Sequence, residues 1–96
     1  MKKVLLALIL IVISSPAYAG TCLSNNISQV KKVTKASSFK VSDVNLRAGA
    51  GVKYCKLREV NNVKNKPVVI KGKSGSWRQI KFEDKLYWVH VGLLNS

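Results

Sequence analysis

The sequence predicts an all-β fold, a small barrel or two packed sheets, on three observations. Apolar and polar residues alternate at a period of two from Phe39 onward. Glycine-rich or polar breaks interrupt that alternation at short intervals. No later segment carries the sustained three-and-four spacing of a long helix. Five or six short strands with polar turns fit one small domain.

The chain opens with Met1-Lys2-Lys3, an unbroken apolar run from Val4 to Ile13, and Ser14-Ser15-Pro16-Ala17-Tyr18-Ala19 before Gly20. That is the basic, apolar and small-residue order of an export signal, with cleavage expected after Ala19. The apolar run spans ten residues, short of the roughly 20 needed to cross a bilayer as a helix. No transmembrane segment is therefore expected after cleavage. The domain organisation read from this is a signal peptide over 1–19, an N-terminal extension over 20–38 and a β domain over 39–96.

The extension is polar and lysine-bearing, with Ile27, Val30 and Val33 at offsets that permit one amphipathic helical turn. It is read as a lead-in strap. Phe39 and Val41 then alternate with Lys40 and Ser42, and Val44 and Leu46 with Asn45 and Arg47, as half-buried strand does. Ala48-Gly49-Ala50-Gly51 breaks the strand, and a loop runs on to about Tyr54. Lys56 to Val60 returns as a strand. Asn61-Asn62 and Lys64-Asn65-Lys66 read as turns, and Pro67 opens the β-branched run Val68-Val69-Ile70, the strand position that proline tolerates. Lys73-Ser74-Gly75 reads as a hairpin turn, Trp77 to Phe82 as a strand, Glu83-Asp84-Lys85 as a turn, and Leu86 to His90 as the last strand before Val91-Gly92-Leu93-Leu94.

Cys22 and Cys55 both lie after the cleavage point. An even thiol count in an exported chain favours one intramolecular disulfide, which would hold the extension to the domain. Closing that loop contributes roughly 3 to 4 kcal/mol, a large share for a domain this small. Two other readings compete. Lipidation of Cys22 requires a preceding pattern that Ala19-Gly20-Thr21 does not supply, and Cys55 could act as a nucleophile with His90 as its base.

The sequence carries 17 basic against 4 acidic residues. Removal of Lys2 and Lys3 leaves a net charge of +11. A polycation of this kind meets anionic partners at rates that fall with salt. Outside the cytoplasm those partners are cell-wall or other anionic envelope polymers, lipid head groups or acidic proteins, and no specific nucleic acid is expected. Lys71, Lys73, Arg78, Lys81 and Lys85, with Lys53, Lys56, Arg58, Lys64 and Lys66, could form a continuous basic face. The bland alternative is solubility and protection of strand edges.

Val44-Asn45-Leu46-Arg47-Ala48-Gly49-Ala50-Gly51, then Tyr54, then Gly75-Ser76-Trp77-Arg78-Gln79-Ile80, Tyr87-Trp88-Val89 and Leu93-Leu94 resemble the bacterial Src-homology-3-like domain. The likeness covers about Phe39 to Leu94. Ala50, Pro67 and Tyr87 depart from the family pattern. The resemblance implies an SH3-like five-stranded barrel with a long first loop from Arg47 to about Lys56. It also implies a binding module without catalysis, directed at cell-wall peptides or other envelope ligands.

The residues agree with a non-catalytic reading. Glu83 and Asp84 sit side by side in a turn, His90 has no second ligand at metal spacing, and Ser74 and Ser76 lack a nucleophile-elbow context. No catalytic residue, metal or cofactor is expected. The candidate ligand-binding residues are Tyr54, Trp77, Tyr87 and Trp88, whose rigid amphipathic rings suit peptide or sugar recognition, with Arg47 and Arg78. Arg47 has a second reading, in which it bonds backbone carbonyls beneath the glycine turn. The leading functional expectation is an exported envelope-binding module. The alternative is an inhibitor, immunity or secretion-accessory protein that binds an acidic protein surface.

Overall fold

A computed structural model describes residues 21–95. The signal-peptide reading of residues 1–19 lies outside them. The described chain is all-β. Its strands are β1 (Lys31–Ser38), β2 (Val44–Arg47), β3 (Lys56–Val60), β4 (Pro67–Ser74), β5 (Trp77–Phe82) and β6 (Lys85–His90), followed by one 3-10 turn over Val91–Leu93. They form a single antiparallel sheet in the order β1-β4-β5-β6-β2-β3. No described helix is long and apolar enough to cross a membrane.

The sheet has six strands and is not closed, so the architecture is coarser than the five-stranded barrel expected. It is nevertheless strongly curled. β1 and β2 lie four strand spacings apart, about 19 Å on a flat sheet. The link over residues 39–43 would have to run straight to reach that far. It does not run straight: Phe39 turns its ring into the core, and its backbone forms an isolated antiparallel bridge with Leu94. Asn95 completes the stitch, donating from its backbone N to Ser38 O (3.0 Å) and from Nδ2 to Ser38 Oγ (2.7 Å) and Phe39 O (3.1 Å).

This topology explains two differences from the sequence reading. Residues 39–42 are not strand, because they cross the sheet's end instead of running along it. Residues 31–38, read as part of a strap, form β1 and pair with β4 from Lys31↔Lys73 to Ser38↔Pro67, with a bulge between Lys32 and Lys35. Five of the eight β1 side chains are exposed and none is buried. Backbone pairing therefore supplies the strand where no apolar alternation marks it.

The core occupies the inner face. Period-two burial places Val44 and Leu46 of β2, Val68 and Ile70 of β4, Ile80 and Phe82 of β5, and Tyr87 and Val89 of β6 on that side. Phe39, Val63 and Leu94 close its end, and Phe39 meets Phe82 edge-on at 5.4 Å between centroids.

The hairpins use the turns that right-twisted strands require. Gly75 sits at φ +59° in the two-residue β4–β5 loop, which begins two residues beyond the expected turn start at Lys73 because β4 continues to Ser74. The β5–β6 loop places both Glu83 (φ 52°) and Asp84 (φ 65°) in the left-handed region, an arrangement usually given to Asn-Gly or Asp-Gly.

The disulfide reading holds. Cys22 and Cys55 are bridged with their Cα atoms 4.9 Å apart, and neither thiol is free. Beside the bridge, Leu23 N donates to Lys53 O (3.1 Å) and Cys55 N to Leu23 O (2.8 Å).

Candidate ligand-binding groove

The outer face of the sheet differs from the inner one. Across β2 and β3, Asn45 stands opposite Glu59. Arg47 lies two residues along from Asn45, on the same face, and stands opposite Trp88 of β6. His90 follows Trp88 by two residues and pairs with Trp77 of β5, and the two rings meet edge-on at 5.6 Å. Asp43, Val52 and Leu93 complete a groove of about 370 Å³ whose other lining residues are Asn45, Arg47, Glu59, Trp77 and His90.

Two of its polar side chains, Arg47 and His90, are held in place. Arg47 donates from Nη1 to Tyr54 O (3.0 Å), with a longer contact to Val52 O (3.4 Å), so the carbonyl-bonding role read for it is present. The imidazole of His90 accepts from Gly92 N at Nδ1 (3.0 Å), which caps the 3-10 turn and leaves the neutral ring's proton on Nε2. Among the described residues Glu59 has a loose, exposed partner, Lys56 Nζ at 3.7 Å. The groove thus mixes two carboxylates, a guanidinium, an amide, an imidazole donor and an indole.

Of the six ligand-binding candidates, Arg47 and Trp77 come together here. Tyr54 does not: it is fully buried, and its hydroxyl receives Ile27 N (3.1 Å) and shares a hydrogen bond with Ser28 Oγ (3.2 Å). The Ser28 bond is the largest influence on the phenol and, despite burial, holds its pKa below the ordinary value. A Cβ on Gly49 would stand 2.5 Å from the Tyr54 ring, so glycine there makes room for the tyrosine. Trp88 shares the face of Arg47 and His90 but is 3% exposed and does not line the groove.

Tyr87 and Arg78 lie apart from the groove. Tyr87 is buried beside Arg58 at the β3 end of the core, where Arg58 lies 5.6 Å from the Phe82 ring centroid and bonds Glu83 at 2.7 Å. Its hydrogen bond to Tyr87, then the one to Glu83, pushes the guanidinium's pKa further above its ordinary value. Arg78 donates from Nη1 to Gly75 O (2.8 Å) and Trp77 O (3.0 Å), which fastens the β4–β5 turn. The ligand-binding candidates read from the sequence leave out six of the groove's lining residues, Asp43, Asn45, Val52, Glu59, His90 and Leu93. Only the β2–β3 register could have revealed Glu59, and a bulge between Leu46 and Arg47 shifts that register.

Among the described residues no cluster of three or more His, Cys, Asp or Glu side chains could hold a metal ion. Both cysteine sulfurs are committed to the bridge, so Cys55 is not available as a thiolate beside His90 in this state. Comparison of the chain with protein-family models, curated proteins and solved structures finds no match.

Proposed function

We propose that the chain is an exported, non-catalytic binding module of the bacterial envelope that recognises a cell-wall peptide in the groove between Arg47 and Trp77. We further propose that β2–β6 are an opened variant of the SH3-like barrel, with the residue 48–55 loop as its long first loop and β1 as an added edge strand. One observation carries the functional reading: two candidates from separate motifs, Arg47 and Trp77, share one exposed groove with side chains of both charges.

A zwitterionic peptide matches that lining. Asp43 and Glu59 suit its ammonium groups, the Nε2–H of His90 and the Asn45 amide suit its carboxylate and carbonyls, and the Trp77 ring suits an aliphatic stem. The exported and oxidising setting is supported by the Cys22–Cys55 bridge.

Isothermal titration of residues 20–96 with soluble wall-stem peptides tests the reading. Binding with a micromolar to millimolar Kd, lost in Trp77→Ala while the thermal midpoint stays within a few degrees, is the expected result. Equal affinity in Trp77→Ala, or no binding of any stem peptide, would sink it.

A further inference from the structure

A second region of the outer face is built differently. Val69 stands opposite Lys81, and Lys81 opposite Leu86, so one transverse row reads apolar, basic, apolar. Leu86 also lines two shallow grooves, one with Val30, Lys32, Thr34, Lys71 and Gln79, the other with Leu57, Arg58, Glu83, Lys85 and Tyr87, and so stands at the border of both. Val30, Leu57 and Leu86 are 45%, 54% and 52% exposed, a large apolar commitment to water for side chains on regular strands and their approach.

Charge is one-sided along this band. Lys32, Lys71, Lys81 and Lys85 lie on it, whereas two of the chain's four carboxylates, Asp43 and Glu59, line the separate Trp77 groove. Glu83 is held by Arg58 at 2.7 Å, and Asp84 sits in the turn at the band's end. In the half formed by Val30, Lys32, Thr34, Lys71 and Gln79 the lining contains no acid.

We propose that this band docks the protein on an anionic phospholipid bilayer, with Val30, Leu57, Val69 and Leu86 entering the headgroup boundary and the lysines meeting the phosphates. A lipid surface fits better than an acidic protein. Protein interfaces favour Arg and exposed aromatic anchors and are depleted in Lys. Here Arg58 is engaged, Tyr87 is buried, and the free charge is lysine, whose aliphatic stem can lie along an apolar surface with its ammonium in the headgroups. Each lysine near such a membrane contributes about fivefold to partitioning, and the sum falls steeply with salt.

The test is vesicle flotation of residues 20–96, whose described part contains the entire sheet, core and disulfide, followed through the tryptophan signal. Vesicles of phosphatidylglycerol and phosphatidylcholine should capture the protein, and pure phosphatidylcholine should not. Lys71→Glu/Lys81→Glu should weaken partitioning by twentyfold or more and Leu86→Ser by about fivefold. Trp77→Ala should leave it unchanged, as should the charge-matched Lys64→Glu/Lys66→Glu, whose lysines line neither groove. Loss of binding in the Lys64/Lys66 variant equal to that in the Lys71/Lys81 variant would mean an unlocalised polycation and overturn the proposal. So would failure to bind phosphatidylglycerol vesicles, or band-dependent binding to polyglutamate alone.

Discussion

Replacing both cysteines, Cys22→Ala with Cys55→Ala, should lower the thermal midpoint by about 23 °C, and the structure dictates why the full effect is expected. The bridge closes a loop with a sequence separation of 33 residues. Chain-entropy reasoning assigns such a loop about 3.7 kcal/mol through constraint of the unfolded chain. That full value applies only if the native segment stays in place when the bond is absent. It has other fastenings: the Leu23 N to Lys53 O and Cys55 N to Leu23 O bonds, and the Tyr54 hydroxyl's contacts with Ile27 N and Ser28 Oγ. Were the bridge its only tether, the segment would detach in the folded state and recover entropy there, and the loss would be smaller. For residues 21–95 the unfolding entropy is roughly 0.16 kcal/mol per kelvin, which converts 3.7 kcal/mol into the stated shift. Calorimetry of the oxidised protein and the double variant measures it directly. Hydrogen exchange at the Cys55 amide provides the internal check, since that amide should remain protected in the variant. A fall of less than about 8 °C, with the Cys55 amide freely exchanging, would refute the reasoning, because the segment would then depend on the sulfur bond alone.

Three further outcomes follow from local geometry. Tyr54→Phe should cost about 1 to 2 kcal/mol in urea denaturation and speed exchange of the Ile27 amide, which loses its acceptor. Gly49→Ala should cost about 3 kcal/mol by the same assay, since its Cβ would stand 2.5 Å from a ring that is buried and cannot yield. Asp84→Gly should raise stability by up to about 1 kcal/mol, because φ 65° strains an aspartate more than a glycine; a loss in the thermal scan would contradict the strain assignment.

Much of the fold could be read from pattern where one face of a strand is buried. β3 and β5 match the strands expected over Lys56–Val60 and Trp77–Phe82, and the alternation Val44, Leu46 marks β2. β1 was invisible for a physical reason: an edge strand with no buried side chain has no apolar period to read, and its pairing with β4 is made by backbone groups. Closure was overestimated because strand count does not specify which strands meet. The β2–β6 ladder consists of the one pairing Arg47↔Trp88, and the first link crosses the sheet's end.

The site was half legible. Aromatic rings have the chemistry that suits recognition, but Tyr54 and Trp88 carry it inside the molecule, and only packing separates them from Trp77. The carboxylates of the groove come from β3 and from the turn before β2. Neither motif around Arg47 and Trp77 contains them, and it is the fold that brings Asp43 and Glu59 alongside.

The central claim, that the Arg47–Trp77 groove takes a cell-wall peptide, is tested most directly by nitrogen-15 NMR of residues 20–96 titrated with a soluble wall-stem tetrapeptide. Saturable shifts are expected at the Trp77 indole and the amides of Asn45, Val52 and His90, with the Trp88 indole unmoved. Absence of shifts, or shifts confined to other surfaces, would contradict it.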